Sequence, residues 1–169
     1  MRRLQESLAQ CVFVEISEVR PGEDEGLARR LLSVQHAAYA VEAAVIGDDR
    51  IPPLHETLHE LRSAPLKWLG AFDHRQLIGA IAWSESNCEV DIDRLVVDPA
   101  LHRRGVGYAL VNEMLDRAGD RRAVVSTGRA NVAARTLYER LGFTVVGEEE
   151  VIPRLWIALY ARERPAQPT

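Results

Sequence analysis

RLVVDPALHRRGVGY, residues 94–108, is the stretch that decides the fold. Its apolar start continues a strand predicted from Ile92 to Val97, and Asp98-Pro99 ends that strand. A short loop follows, and Gly105-Val106-Gly107 then opens a helix predicted to reach Ala118. The stretch therefore predicts a strand, a loop and a helix in direct succession.

The start of this helix has the chemistry of an anion site. A helix N-terminus presents unpaired backbone N–H groups and about half a positive charge. The glycines allow close approach of a ligand, and Arg103 and Arg104 add fixed positive charge. Together these features predict a pyrophosphate cradle. The loop alone leaves a tight turn with solvated arginines open as an alternative, because the other residues of a Walker loop or a dinucleotide fingerprint are absent.

Apolar periodicity on both sides of this unit predicts a mixed α/β domain. Helices are expected at 26–45, capped by Asp24, and at 54–62, 105–118 and 131–141. Strands are expected at 11–19, 67–72, 77–84, 89–97, 123–127, 144–151 and 155–160. A single strand after each of the last two helices predicts parallel crossovers within a mixed central sheet flanked by helices. We expect one domain over 11–161, with flexible ends at 1–10 and 162–169.

Composition narrows the class of protein. The 169 residues are 47% hydrophobic and 27% charged, which is typical of a globular protein in solution. Apolar runs stay far below the roughly 20 residues that span a bilayer, so a cytoplasmic protein without a membrane partner is expected. The net charge of −4 disfavours a general nucleic-acid binder. Cys11 and Cys88 are expected to be free and reduced.

A second motif, NVAARTLYERLGF at 131–143, follows the first after about two dozen residues. With both motifs in this order, the sequence resembles the GNAT acyltransferase superfamily over roughly residues 11–161. The resemblance implies the GNAT fold, acetyl-CoA as co-substrate, no metal, and acetyl transfer to a primary amine of a small molecule or peptide by direct attack. One position departs from the family, which usually has Gln or Arg where this chain has His102.

The resemblance also implies roles for individual residues. A backbone N–H of Val96 or Val97 would hold the acetyl carbonyl oxygen, and Tyr138 would protonate the departing thiolate, with a core tyrosine as the alternative. Arg135 would either neighbour the CoA phosphates or lie on a solvated helix face. The expected cofactor-binding residues are Leu95, Val96, Val97, His102, Arg103, Arg104, Gly105, Val106, Gly107, Tyr108, Asn131 and Arg135.

The general base is less determined. Glu89, Asp91 and Asp93 share one face if their strand alternates regularly, but a bulge would shift that register. Asp93 and Glu89 are the predicted catalytic carboxylates, while Glu85, Glu42 and a water chain stay open. A homodimer also stays open.

Two alternatives to an acetyltransferase are kept. His55-Glu56-Thr57-Leu58-His59 fits the zinc-peptidase pattern, in which two histidines one turn apart bind zinc and the glutamate activates water. Its predicted helix is short, and no third ligand stands out. The second alternative is a non-catalytic acyl-CoA-binding or regulatory module with the same fold.

Overall fold

The computed structural model describes residues 14–163. The predicted flexible start at 1–10, the beginning of the first strand at Cys11 and most of the predicted tail lie outside the described residues. Within residues 14–163 the helices are α1 to α4, at Glu25–Ile46, Leu58–Ser63, Val106–Ala118 and Val132–Arg140. The strands are β1 to β7, at Glu15–Glu18, Lys67–Asp73, Gln76–Glu85, Glu89–Val97, Arg122–Gly128, Thr144–Ile152 and Leu155–Arg162.

The strands of this described region form one mixed sheet in the order β1-β2-β3-β4-β5-β7-β6. β4 and β5 are parallel, and the other neighbouring pairs are antiparallel. The predicted α/β class is therefore confirmed, as is the parallel crossover from β4 through α3 to β5. The second predicted parallel pairing, after α4, is wrong, because β7 lies between β5 and β6 and pairs antiparallel with both. Among the described helices, none combines the length and the hydropathy needed to cross a membrane.

Two hydrophobic cores cover the two faces of the sheet. One core contains Leu110 and Met114 of α3 and Tyr138 of α4, packed on the central strands. The other contains Leu31 of α1 and Leu61 of α2. We refer to these as the α3–α4 face and the α1–α2 face. A side chain from one face can meet one from the other only where the sheet between them is open.

Two predicted boundaries need correction. The helix predicted at 54–62 is divided into a 3-10 turn at Pro52–Leu54 and α2, which begins after Thr57. Thr57 has an extended backbone and caps α2 reciprocally with Glu60, so it cannot lie inside a helix. Arg162, predicted as the first residue of a flexible tail, instead belongs to β7 and pairs with Ala123 in the sheet.

Replacing Thr57 with alanine should lower the free energy of unfolding by about 1 kcal/mol. The Thr57 hydroxyl accepts the Glu60 amide at 3.2 Å, and the Glu60 carboxylate accepts the Thr57 amide at 2.7 Å. Alanine leaves the Glu60 amide without its capping partner. Urea unfolding measures the loss, and Thr57→Ser should retain most of the stability. Equal stability of the alanine and serine variants would contradict the capping role.

Candidate active site

The two central parallel strands pair along only part of their length. β4 and β5 are in register only as far as Ile92 and Val125. Beyond that pair, residues 93–97 of β4 and 126–128 of β5 border an opening that we call the β4–β5 gap. The strand therefore splays from its neighbour along Leu95, Val96 and Val97, which the resemblance predicted to bind the cofactor.

The backbone groups of Leu95 and Val97 face this gap. Asp98 donates its N–H to Ile78 O at 2.7 Å, so this pair forms a hydrogen-bonded rung of the β3–β4 ladder. Because backbone groups alternate sides along a strand, Val96 points its N–H toward β3, and Leu95 and Val97 point theirs away from it. The sequence left the N–H groups of Val96 and Val97 open as donors to the acetyl oxygen. The N–H of Val97 faces the gap, as does that of Leu95, whereas the N–H of Val96 points toward β3.

A β-bulge at Asp93 changes the face of the sheet to which the later residues of β4 point. Consecutive residues of β3 pair with Ile92 and Arg94, so Asp93 is the extra residue. Ile92 accordingly packs in the α3–α4 core, whereas Val96 packs in the α1–α2 core. The regular alternation that would place the acidic residues of this strand in one row ends at Asp93.

The start of α3 presents unpaired amides. Gly105 precedes the helix with a left-handed φ of 78°, which glycine adopts without steric cost. The first bond within the helix runs from the Ala109 N–H to Gly105 O at 3.0 Å. The amides of residues 106–108 come before that bond and point out of the helix end.

This helix start is placed and charged for a ligand that runs into the gap. A Cβ built on Gly107 would lie 3.5 Å from Leu137 and 3.7 Å from Leu95, so the helix begins between α4 and the end of β4. Arg103 and Arg104 are exposed, and neither forms an ion pair within residues 14–163. Free amides, the helix dipole and two guanidinium groups are the features expected of an anion site, and binding of pyrophosphate here stays a prediction.

Two further side chains flank this start. His102, the position that departs from the family pattern, has its Nε2 3.1 Å from Val97 O. It therefore lies against the end of β4, and a contact with phosphate stays a prediction. Arg140 of α4 lies 5.5 Å from the ring centroid of Tyr108, which adds a third guanidinium that the first motif does not indicate.

Tyr138 approaches the gap from the α3–α4 face. It is 4% exposed and lies edge-on to Phe143, with 5.5 Å between ring centroids. Burial raises the pKa of Tyr138 far above its ordinary value of 10.0, and the Glu42 carboxylate on the opposite face raises it further. The hydroxyl therefore keeps its proton at neutral pH, as a general acid must.

Tyr39 and Glu42 approach the gap from α1. They are three residues apart and share one side of that helix. Burial is the main cause that raises the pKa of Tyr39. The Glu42 and Asp93 carboxylates and the Tyr138 hydroxyl raise that pKa further. The groups that affect the Tyr39 pKa therefore come from α1, β4 and α4.

Two residues of the second motif have partners within the protein. Asn131 caps α4 by accepting the amide three residues on at 3.1 Å, and its side chain also hydrogen-bonds Glu42. A contact between Asn131 and the CoA arm stays a prediction. Arg135 donates to Arg129 O at 3.0 Å and to the Tyr160 hydroxyl at 2.9 Å. Arg135 thus ties α4 to β7, and a place beside the CoA phosphates stays a prediction.

The structure separates the two carboxylates predicted as bases. Asp93 lies at the bulge, with Oδ2 2.6 Å from Arg94 Nε. Glu89 begins β4 and lies 2.6 Å from Arg122. Four strand residues place Glu89 roughly 13 Å from Asp93. Glu89 does not join the gap, because the paired part of β4 and β5 lies between them.

A buried ionic cluster fastens β4 to the α1–α2 face. Arg94 is 9% exposed, and its guanidinium donates to Asp93, to Gln35 Oε1 at 3.2 Å and to the Glu56 carboxylate. Gln35 donates to the same Glu56 carboxylate at 2.6 Å. The guanidinium also lies 5.5 Å from the ring centroid of Trp68. This cluster links β4, next to the bulge, to α1 and to the segment before α2.

The segment from His55 to His59 does not have the geometry of a zinc-peptidase site. That pattern needs two histidines one turn apart on one helix. Thr57 caps α2, so His55 precedes the helix and its Nε2 lies 2.8 Å from Asp49 O, while His59 lies within the helix. The Glu56 carboxylate is engaged by Arg94. The residues present do not fit the zinc site that the pattern suggested.

Replacing Glu56 with alanine should lower the free energy of unfolding by about 3 kcal/mol. The change leaves the buried Arg94 guanidinium with Asp93 as its remaining carboxylate. It also removes one of the two acceptors of the Gln35 side-chain amide, which keeps its bond to Pro53 O. Chemical unfolding at constant pH measures the loss. Glu60→Ala on α2 is not a suitable comparison because Glu60 belongs to the cap, so the control is Glu23→Ala at an exposed turn. Equal stability of both variants would contradict a structural role for the cluster.

Comparison with known proteins identifies the family. The model of the acetyltransferase (GNAT) family matches residues 26–143. The chain belongs to the GNAT family. A Bacillus subtilis protein, UPF0157 protein YqkA, is 35% identical over 69% of this chain and 34% of its own length. N-alpha-acetyltransferase RimI of Mycobacterium tuberculosis is 33% identical over 60% of this chain and 66% of its own length. The chain thus spans about a third and just under two thirds of these curated relatives.

Solved structures show the same GNAT fold at low sequence identity. The PaiA N-acetyltransferase of Thermoplasma acidophilum, solved with coenzyme A, has a TM-score of 0.67 at 18% identity, covering 89% of this chain and 98% of that one. The ribosomal-protein-S18-alanine N-acetyltransferase of Escherichia coli has a TM-score of 0.67 at 17% identity, covering 92% and 96%. These likenesses confirm the GNAT fold predicted from the sequence.

GNAT membership accounts for the two motifs but not for the α1–α2 side of the gap. The sequence does not indicate Tyr39 and offers Glu42 only as one of several open bases, because both lie in a long helix whose sequence does not show which turn meets the opening. Arg94 lies within the strand predicted at 89–97, and the strand pattern does not indicate its contacts with α1 and the segment before α2. The signal that was available is the burial of a polar strand position next to the acidic Asp93.

Proposed function

We propose that this chain is an N-acetyltransferase that moves the acetyl group of acetyl-CoA to a primary amine of a small molecule or peptide, by direct attack in a ternary complex. The observation that carries the proposal is the β4–β5 gap, which runs from the amides of residues 106–108 to the buried Tyr138. The unpaired amides at the start of α3, the free edge of β4 and the protonated Tyr138 hydroxyl support this proposal.

The residues present fit acetyl-CoA. The amides of 106–108, with Arg103 and Arg104, hold the pyrophosphate. The free edge of β4 offers alternating N–H and C=O groups, which suit an extended arm that carries amides. Acetyl-CoA supplies the acetyl group as a thioester, whose carbonyl is open to attack by an amine.

Each catalytic step is assigned to groups of the chain. The Leu95 or Val97 N–H donates to the acetyl carbonyl oxygen, where negative charge develops during attack. Tyr138 gives its proton to the departing sulfur. The amine loses one proton to a carboxylate or water, and Asp93 at the bulge stays a candidate for that role.

The acceptor class is the open part of the proposal. RimI is named as an N-alpha-acetyltransferase, and one structural neighbour as a ribosomal-protein-S18-alanine N-acetyltransferase. Peptides with a free N-terminus are therefore the first acceptors to test, followed by polyamines and aminoglycosides as small-molecule amines.

The test of the proposed function is release of free thiol from acetyl-CoA across this amine panel. We expect thiol release that depends on an acceptor, together with an acceptor mass increased by one acetyl group. Tight binding of CoA without turnover on any acceptor would instead favour the non-catalytic acyl-CoA-binding module.

A further inference from the structure

Glu42 is the carboxylate at the gap that is not engaged by an arginine. Asp93 is bound by Arg94 and Glu89 by Arg122, whereas no ion pair of Glu42 occurs among residues 14–163. Its partners are neutral, namely the side chain of Asn131 and the amide of Gly128. Such a carboxylate can exchange a proton without breaking an ion pair.

The partners of Glu42 place it at the gap. Gly128 ends β5 on the part of that strand that borders the opening, and a Cβ built on Gly128 would lie 3.6 Å from Glu42 Oε1. Asn131 caps α4, the helix that carries Tyr138. Glu42 is therefore fixed from both sides, by the strand edge and by the start of the catalytic helix.

We propose that Glu42 accepts the proton of the acceptor amine and returns it to Tyr138 after each transfer. The proposal rests on the proposed acetyltransferase function and names the base that this function leaves open. Glu42 and Tyr138 come from opposite faces of the sheet, and the Glu42 carboxylate helps to raise the pKa of Tyr138.

The proton balance of this scheme closes within the two residues. The amine nitrogen forms a bond to the acetyl carbon, and the carbon–sulfur bond breaks. One N–H proton passes to the Glu42 carboxylate, and the Tyr138 O–H proton passes to the sulfur. The Glu42 carboxyl then protonates the Tyr138 phenolate, which has the higher proton affinity, so both residues regain their starting states.

The electrostatic surroundings of Glu42 agree with this role. Burial raises the pKa of Glu42 above its ordinary value of 4.5, and the bonds from Asn131 and Gly128 oppose that effect. The groups that face it are Tyr39 on its own helix and Tyr138 on α4. Asp93 and Arg94 of β4 affect the pKa of the neighbouring Tyr39, which Asp93 raises and Arg94 lowers.

The test compares Glu42→Gln with Glu113→Gln, an exposed glutamate on α3 that pairs with Arg117. In the wild type, kcat/KM should fall as pH decreases through the raised pKa of Glu42. In Glu42→Gln we expect kcat/KM at pH 7.5 to fall by about 100-fold or more, without the acid limb of the profile, while the Kd of CoA stays within about twofold. Glu42→Asp should restore part of the rate, and Glu113→Gln should match the wild type.

Thermal unfolding tests whether a loss of activity in Glu42→Gln comes from a loss of stability. Because folding raises the pKa of Glu42, the stability that it contributes is complete below pH 4.5 and is lost as pH rises through the folded-state value. The charged carboxylate thus lowers stability at pH 7.5, and Glu42→Gln should have a Tm equal to or above that of the wild type. An active Glu42→Gln variant that retains the acid limb would overturn the assignment of Glu42 alone. Absence of turnover by the wild type on every amine would overturn the proposed function, and this assignment with it.

Discussion

Replacing Tyr138 with phenylalanine should lower kcat by about 10²- to 10⁴-fold while leaving the affinity for acetyl-CoA unchanged. Phenylalanine keeps the ring that packs edge-on against Phe143 and removes only the hydroxyl. Without that proton the sulfur must depart as a free thiolate. The measurement is the rate of thiol release at saturating acceptor, with CoA affinity determined by calorimetry.

Tyr160→Phe is the matched control for this change. The Tyr160 ring centroid lies 6.4 Å from that of Tyr138, but its hydroxyl is engaged by Arg135 and Glu139. We expect this variant to retain kcat within about twofold and to lose about 1 kcal/mol of stability from the missing hydrogen bonds. Equal kcat for Tyr138→Phe and the wild type over the whole pH range would contradict the general-acid role.

Reversing the charge of both cradle arginines, Arg103→Glu with Arg104→Glu, should raise the Kd of CoA about 1000-fold, a loss of about 4 kcal/mol. Hydrogen bonds to charged groups contribute about 1.5–3 kcal/mol each. Both side chains are exposed and free of ion pairs within the described residues 14–163, so the variant loses little stability. Titration calorimetry with CoA at fixed ionic strength measures the effect.

The control for that pair is Arg20→Glu with Arg117→Glu, which changes the net charge by the same amount. Arg117 lies in the last turn of α3, roughly 16 Å along the helix from Val106. We expect its Kd to stay within about threefold of the wild type, because charge at that distance is largely screened. An equal loss of affinity in both pairs would mean that net charge matters more than the cradle.

The fold was predictable because local signals agree with the tertiary arrangement. Gly142, in the second motif, follows α4 with a left-handed φ of 86°, as glycine does after many helices. Asp24 caps α1 as predicted, with its carboxylate 3.0 Å from the Leu27 amide. The helix predicted at 54–62 failed because Thr57 and Glu60 form a capping box. That box is readable as a Thr-x-x-Glu pattern but competes there with apolar periodicity.

The site was only partly predictable, because it depends on tertiary contacts between elements that are far apart in the sequence. The amides of 106–108 follow from the helix start alone, and the second motif indicates Tyr138. The bulge at Asp93 depends on how β3 pairs with β4, and that pairing decides which backbone groups face the gap. Glu42 comes from a helix almost a hundred residues before Tyr138, and no local pattern connects the two.

A crystal structure of the full chain with acetyl-CoA tests the central claim most directly. We expect the pyrophosphate oxygens at hydrogen-bond distance, about 2.9 Å, from the amides of residues 106–108. The acetyl carbonyl should accept the N–H of Leu95 or Val97, with the sulfur beside the Tyr138 hydroxyl. A pyrophosphate bound away from the start of α3, or a thioester outside the β4–β5 gap, would contradict the account.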